Sequence, residues 1–281
     1  MPGTLYVVAT PIGNLEDITL RALRVLRDVN LIAAEDTRRT AKLLSHHGIS
    51  TPTLSFHEHN TRGRIPQLLA RLEAGESIAV VTDAGTPGVS DPGAELVHAC
   101  VAAGIAVDPI PGASAPLTAV IASGFPATPL TILGFVPSRS KDRSAFLTAI
   151  SGIITTVSFF ESPHRIVATL TEAKQYWGNR PIMVGRELTK VHQEFIHGTA
   201  GEVAQKLSSP RGEFTVVLGP YSPPQQQAND LIDGDVAAEF GKMADLQGLS
   251  RREAVAAVAK KLGKTSREVY AAIERTKKSV Q

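Results

Sequence analysis

Over about the first two hundred residues, short apolar runs rich in β-branched side chains alternate with segments whose apolar positions recur every three or four residues. The first pattern suits strands buried on both faces, and the second suits helices with one apolar stripe. Their alternation predicts an α/β protein. In the first half LYVVAT, SIAVVT and IAVDPI read as strands, and TLRALRVLRDV, TAKLLSHHG, RIPQLLARLEAG and AELVHACVAAG as helices. In the second half TILGFV, TTVSFF, PIMVGREL, EFIHGT and FTVVLG read as strands, separated by the helical patterns SAFLTAI, HRIVATLTEAKQYW and GEVAQKLS. Two largely parallel sheets hold these strands better than one, which divides the region into α/β domains at 1–113 and 114–220, with the boundary near Ile110 to Ser114.

The pattern then changes. GPYSPPQQQANDLIDGD has the proline and glutamine content of a linker, placed at 221–234. Helical spacing returns over 235–281 in AAEFGKMADLQ, LSRREAVAAVAKKLG and TSREVYAAIERTKK. Ser250, and Thr265 or Ser266, stand where N-caps belong, each with a glutamate soon after. Ala254, Val258, Leu262, Val269 and Ile273 would pack together, giving a small helix-turn-helix-like module.

Charge sets this module apart. The whole chain carries +2, but Leu249 to Gln281 holds nine basic and three acidic side chains, a net +6 that leaves −4 on the rest. A basic terminal module suits a polyanion such as nucleic acid; a solvated lysine-rich helix face gives the same pattern.

Composition narrows the class. Hydrophobic content of 43% with 20% charged residues fits a globular protein. The single cysteine, Cys100, leaves no disulfide framework or thiolate metal cluster and favours a reducing cytoplasm. The opening MPGTLYVVATP lacks a basic leader, and the apolar stretch APLTAVIASGFPATPLTIL is broken by prolines, so neither a signal peptide nor a membrane span is expected.

Candidate chemistry gathers in turns. Metal-binding HExxH and CxxC spacings, the phosphate-loop signature and the dinucleotide glycine fingerprint are all absent, so no metal site is expected and nicotinamide chemistry is disfavoured. Five turns instead follow predicted strands: TPIGNLED, EDTRRT, FHEHN, TDAGTPGVSDPG and PIPGASA. At the carboxyl edge of an α/β sheet such turns converge on ligands, and their glycines let backbone approach closely. EDTRR adds two carboxylates and two guanidiniums, and FHEHN two imidazoles and a carboxylate, suited to acid–base work. GFVPSRSKDR carries Arg139, Lys141 and Arg143, basic groups that attract phosphates if they face a cleft.

In this order VATPIGNLEDIT, AAEDTRRT, FHEHN, VTDAGTPGVSDPG, PGASA, GFVPSRSKDR, FFESPHR and GRELTKVHQE resemble the tetrapyrrole methylases, the class III S-adenosylmethionine-dependent methyltransferases, over Thr4 to Leu218. More narrowly they resemble the family's ribosomal RNA branch, and the basic helical tail resembles it too. The resemblance implies two α/β domains with a cofactor cleft between them, a homodimer, and 2′-O-methylation of a cytidine in 16S ribosomal RNA of the small subunit. By motif it implies contacts to S-adenosyl-L-methionine from Gly85, Thr86, Val89, Ser114 and Ala115, with Pro11, Phe160 and Glu161 as further members. Pigment-methylating relatives read GDP where Gly85, Thr86 and Pro87 stand, a departure that argues against a tetrapyrrole substrate. In the implied in-line displacement a ribose oxygen attacks a sulfonium methyl group without a metal. A proton acceptor assists, expected among Glu35, Asp36, His57 and Glu58, with Arg38 and Arg39 on phosphates. Two rival readings are a corrin or porphyrin methylase of the same fold and a non-enzymatic nucleic-acid-binding regulator.

Overall fold

The computed structural model describes residues 2–88, 93–207, 210–221, 235–244 and 250–278. It divides into two compact units, Met1–Tyr221 and Ser222–Gln281. The first unit holds two five-stranded sheets.

The first sheet contains β1 (Thr4–Val8), β2 (Leu31–Ala34), β3 (Thr53–Ser55), β4 (Ile78–Val81) and β5 (Ala106–Ile110), in the order β3-β2-β4-β1-β5. Every pairing is parallel. Helices α1 (Leu20–Asp28) and α2 (Thr37–His46) pack Leu26 and Leu44 with Ile32 and Ala79 on one face. On the other face α3 (Thr61–Glu73) and α4 (Gly93–Ala102) pack Leu68, Leu72, Leu96 and Cys100 with Leu5 and Val80. The chain therefore leaves β1 toward one face and leaves its neighbour β4 toward the other. The helices that follow the two strands diverge, the arrangement that opens a crevice at the carboxyl edge of a sheet.

Two of these strands carry no sequence signal of their own. LIAA continues the apolar spacing of α1, and TLS is three residues at a half-exposed edge. Helix α5 (Ala115–Ser123) is likewise hidden in the proline-punctuated apolar stretch. Pro116 sits in its first turn, where no amide is needed, and Gly124 closes it at φ +74°.

The second sheet contains β6 (Leu130–Phe135), β7 (Thr156–Glu161), β8 (Pro181–Arg186), β9 (Glu194–Thr199) and β10 (Phe214–Leu218), in the order β6-β7-β10-β8-β9. All five are predicted strands, but the expectation of a largely parallel sheet fails here. Only β6 and β7 run parallel; the other three pairings are antiparallel. The cause is local: β8 and β9 form a hairpin, and β10 inserts between β7 and β8. Helices α6 (Ser140–Ser151), α7 (Ile166–Trp177) and α8 (Ala200–Lys206) cover one face with Leu147, Leu170 and Val203 around Phe159. On the other, Met183 and Val217 meet Val120 of α5, Leu188 and Ile12 of the turn after β1. Ile12 thus brings the carboxyl edge of the first sheet against the second.

In the second unit, helices α9 (235–244), α10 (Arg251–Leu262) and α11 (Ser266–Lys278) share a core of Val236, Val255, Val258, Val269 and Ile273. Ala254 is buried as expected, whereas Leu262, in the last turn of α10, is exposed. Arg251 pairs with Glu274 at 2.6 Å, and Lys261 with Glu239.

Candidate active site

Three turns are sewn together at the edge of the first sheet. Thr10, after β1, exchanges backbone hydrogen bonds of 2.9 and 3.0 Å with Gly85, after β4. Thr10 Oγ1 donates to the carbonyl of Thr82 at 3.1 Å, and Thr86 Oγ1 to that of Ala113, after β5, at 3.3 Å. Gly85 holds φ at +82°, a conformation that costs a residue with a Cβ about 1–2 kcal/mol. The dense glycine turn is thus a tight corner and, by the same geometry, one wall of a cavity.

That cavity, of about 360 Å³, is bounded by both sheets. The first supplies Ile12, Glu35, Arg39, the turn Thr82 to Thr86, and Ser114 to Pro116 at the start of α5. The second supplies Phe135, Phe160 to Pro163, Leu188 and Gly212 to Thr215. Phe135 and Phe160 stand with ring centroids 5.2 Å apart, an apolar wall facing a polar one.

The polar wall is built on two carboxylates. Glu35 Oε2 accepts from Thr82 Oγ1 at 2.6 Å and from the Asp83 amide at 3.1 Å. Asp83 Oδ1 accepts from the Asp36 amide at 3.0 Å, and Arg39 approaches Oδ2 at 3.5 Å. Burial, then the neighbouring charge of Glu35, push the Asp83 carboxyl above its ordinary range; Arg39 and the Asp36 amide oppose this only in part. Asp36 behaves in the opposite way. Hydrogen bonds from the Arg38 side chain and amide hold it below the ordinary range while it caps α2.

On the second sheet Glu161 is fully buried, its carboxylate turned into the protein. It accepts from the Ser162 amide at 2.7 Å and Thr169 Oγ1 at 2.6 Å, and pairs with Arg165 at 2.7 Å. A buried charge so completely paired anchors the end of β7 and has little left for a ligand. Leu188 reaches the cavity from the β8–β9 loop, whose Glu187 and Thr189 adopt φ of +50° and +65°. Lys190 Nζ and the Glu213 amide hold Glu187 Oε1, each at 2.9 Å.

The structure gathers some of the expected residues and disperses others. Glu35, Arg39, Gly85, Thr86, Ser114, Ala115, Phe160 and Glu161 border the cavity. Pro11 is buried beside Ile12 and does not line it. Arg38 is 89% exposed and folds back on Asp36 at 3.3 Å. His57 and Glu58 follow the edge strand β3, away from the cavity lining, and the His57 amide donates to Asn60 Oδ1 at 2.9 Å. Arg139 and Lys141 are exposed where α6 begins, whereas Arg143 is bound to Glu172 of α7 at 2.7 Å. Val89 lies outside the described residues.

Ile12, Phe135, Leu188 and Glu213 also line the cavity without having been singled out by the sequence, and Asp83 joins them. Asp83 stood inside a recognised turn, so a signal existed. Glu213 belongs to no motif, and only the order of the second sheet places it there.

A family model of the Tetrapyrrole (Corrin/Porphyrin) Methylases matches residues 4–204. The chain belongs to the tetrapyrrole methylases.

This tetrapyrrole methylase is 42% identical over 271 residues to the ribosomal RNA small subunit methyltransferase I of Synechocystis, a match covering 95% of this chain and 96% of that protein. It is 47% identical over 218 residues to the protein of the same name from Thermotoga maritima, covering 77% of this chain and 98% of that one. Among solved structures, the methylase superposes on diphthine synthase with a TM-score of 0.62 at 14% identity, covering 77% of this chain and 90% of that one. It superposes on the uroporphyrin-III C-methyltransferase of Thermus thermophilus complexed with S-adenosyl homocysteine with a TM-score of 0.55 at 19% identity, covering 77% and 97%. At such identities the structural likeness speaks to fold.

Proposed function

We propose that this tetrapyrrole methylase transfers a methyl group from S-adenosyl-L-methionine to the 2′-hydroxyl of a cytidine ribose in 16S ribosomal RNA. It acts on the small ribosomal subunit in the cytoplasm, as a homodimer. The observation that carries this reading is near-full-length likeness to proteins named ribosomal RNA small subunit methyltransferase I. The cavity is compatible with it: an aromatic wall suits a flat base, and carboxylates suit a cationic sulfonium and ammonium.

Gly85, Thr86, Ser114, Ala115 and Phe160 would hold the cofactor, with Val89 of the same motif as a further contact and Pro11 and Glu161 supporting that wall. Bound there, S-adenosyl-L-methionine supplies an electrophilic methyl group. The chain's own residues orient the ribose, accept its hydroxyl proton and hold the phosphates. Of the four expected acceptors only Glu35 borders the cavity; Asp36 caps α2, and His57 and Glu58 follow the edge strand β3. Arg39 at the cavity, with the exposed Arg38, Arg139 and Lys141, would engage phosphates, while Arg143 secures α6.

Incubating the protein with methyl-tritiated cofactor and small subunits from a strain lacking the enzyme should label 16S RNA at one cytidine, with the label on ribose oxygen. Label passing instead to a porphyrin or corrin, with none on RNA, overturns the proposal.

A further inference from the structure

Of the carboxylates that border the cavity, two are bonded to each other's strand ends. Glu35 and Asp83 form a reciprocal clasp across the ends of the adjacent strands β2 and β4. Glu35 binds the Thr82 hydroxyl and the Asp83 amide, and Asp83 binds the Asp36 amide. Each therefore fixes the backbone that carries the other, and both border the cavity.

Their surroundings are unequal. Glu35 Oε2 takes two donors, one of them a short hydroxyl contact at 2.6 Å. Asp83 takes one amide at 3.0 Å, and Arg39 stays at 3.5 Å, beyond the usual distance of a charge-assisted hydrogen bond. A carboxylate with fewer donors holds a proton more readily. Burial, Glu35 and Asp36 push the Asp83 carboxyl up, and Arg39 and the Asp36 amide are what oppose them. Arg39 is itself 60% exposed, able to exchange a carboxylate for a phosphate.

Resting on the methyltransferase reading, we propose that Asp83 is the catalytic proton acceptor for the ribose hydroxyl, that Glu35 is the positioning residue that holds it, and that Arg39 leaves Asp83 for an RNA phosphate as substrate docks. In the step, a lone pair of the 2′-oxygen forms the new O–C bond. The C–S bond breaks with its electron pair remaining on sulfur, cancelling the sulfonium charge. The hydroxyl proton passes to Asp83, giving a neutral carboxylic acid that later returns the proton to water.

Asp83→Asn keeps an acceptor for the Asp36 amide and removes the base. Single-turnover methyl transfer at saturating cofactor should fall by about 10²- to 10⁴-fold, with the melting temperature nearly unchanged. Glu35→Gln should shift the acid limb of the pH–rate profile to lower pH, and Arg39→Gln should shift it to higher pH. The carboxyl ¹³C titration of Asp83 in cofactor-free protein should move in the same directions, and addition of a 16S RNA fragment should raise its midpoint in the unaltered protein but not in Arg39→Gln. Wild-type rate in Asp83→Asn, a loss confined to cofactor affinity, or an Asp83 midpoint indifferent to both neighbours overturns the assignment. If Asp83→Asn fails to fold, the two neighbour variants decide the matter. Failure of the unaltered protein to methylate subunits sinks the functional reading instead, whereas the carboxyl titration needs no methyl transfer and still reports on the pair.

Discussion

Arg180 is buried, yet among the described residues its partners are carbonyls rather than a carboxylate. Nε donates to Gly219 at 2.7 Å, NH1 to Ile150 and Ser151 at 3.2 and 3.3 Å, and NH2 to Ile153 and Thr155 at 2.7 and 3.0 Å. The five-donor fork of a guanidinium satisfies a bend that no other side chain could, and it joins the end of α6 to the exit of β10. Burial pushes its pKa down, but a guanidinium remains charged. Arg180→Met leaves several carbonyls unpaired at about 1–3 kcal/mol each, so with partial rehydration the variant should lose about 3–5 kcal/mol in urea unfolding. A loss below about 1 kcal/mol means water replaces the side chain at no cost. Gly85→Ala tests the corner at the same scale. A residue with a Cβ at φ +82° should cost about 1–2 kcal/mol and weaken cofactor binding, measured by calorimetry. Unaltered affinity would show that the corner bends without shaping a binding wall.

Among the elements, the β8–β9 loop carries Leu188 into the cavity on a backbone with positive φ at Glu187 and Thr189, a conformation that the Glu187 carboxylate helps to hold. Burial works against ionisation of Glu187, but the Lys190 ammonium and the Glu213 amide outweigh it, leaving its pKa below the ordinary glutamate value. A carboxyl more acidic when folded than when unfolded contributes stability at pH above its unfolded value and loses it as pH falls through the folded one. Glu187→Gln should therefore flatten the acid side of the stability profile between about pH 5 and 3, leaving a smaller difference from the unaltered protein at the acid end. A parallel offset across that range would exclude the linkage. The hairpin itself was legible as two strands, since PIMVGREL and EFIHGT have strand composition. Their antiparallel pairing was not, because alternation reports burial and leaves the direction of the partner open. Helix α5 was hidden for a related reason: Pro116 is a breaker within a helix but not in its first turn.

For the whole molecule, the catalytic reading rests on the unit Met1–Tyr221, and the stretch with a marked excess of basic over acidic side chains, Leu249 to Gln281, lies in the other. The Thermotoga relative is matched over 98% of its length by 77% of this chain, so it lacks a counterpart to the remainder. Deleting 235–281 should then leave cofactor affinity intact while weakening RNA binding and flattening its dependence on salt. On single-stranded RNA the slope should drop by about 0.7 for each phosphate that the tail had neutralised, measured by filter binding across a salt series. An unchanged slope would mean that the tail's charge serves solvation.

The sequence by itself determined the alternation of strands and helices, the separate basic tail and the turns rich in glycine and charge, because periodicity and backbone freedom are local properties. It also kept Gly85 with Thr86, and Ser114 with Ala115, since neighbours within one turn travel together. Only the tertiary structure decided which turns meet. The strand order β3-β2-β4-β1-β5 puts FHEHN at the edge and joins the turns after β1 and β4 at the centre. That placement leaves His57 and Glu58 outside the cavity lining and sets Asp83 beside Glu35, because proximity between distant segments is fixed by how crossovers pack on the two faces of a sheet.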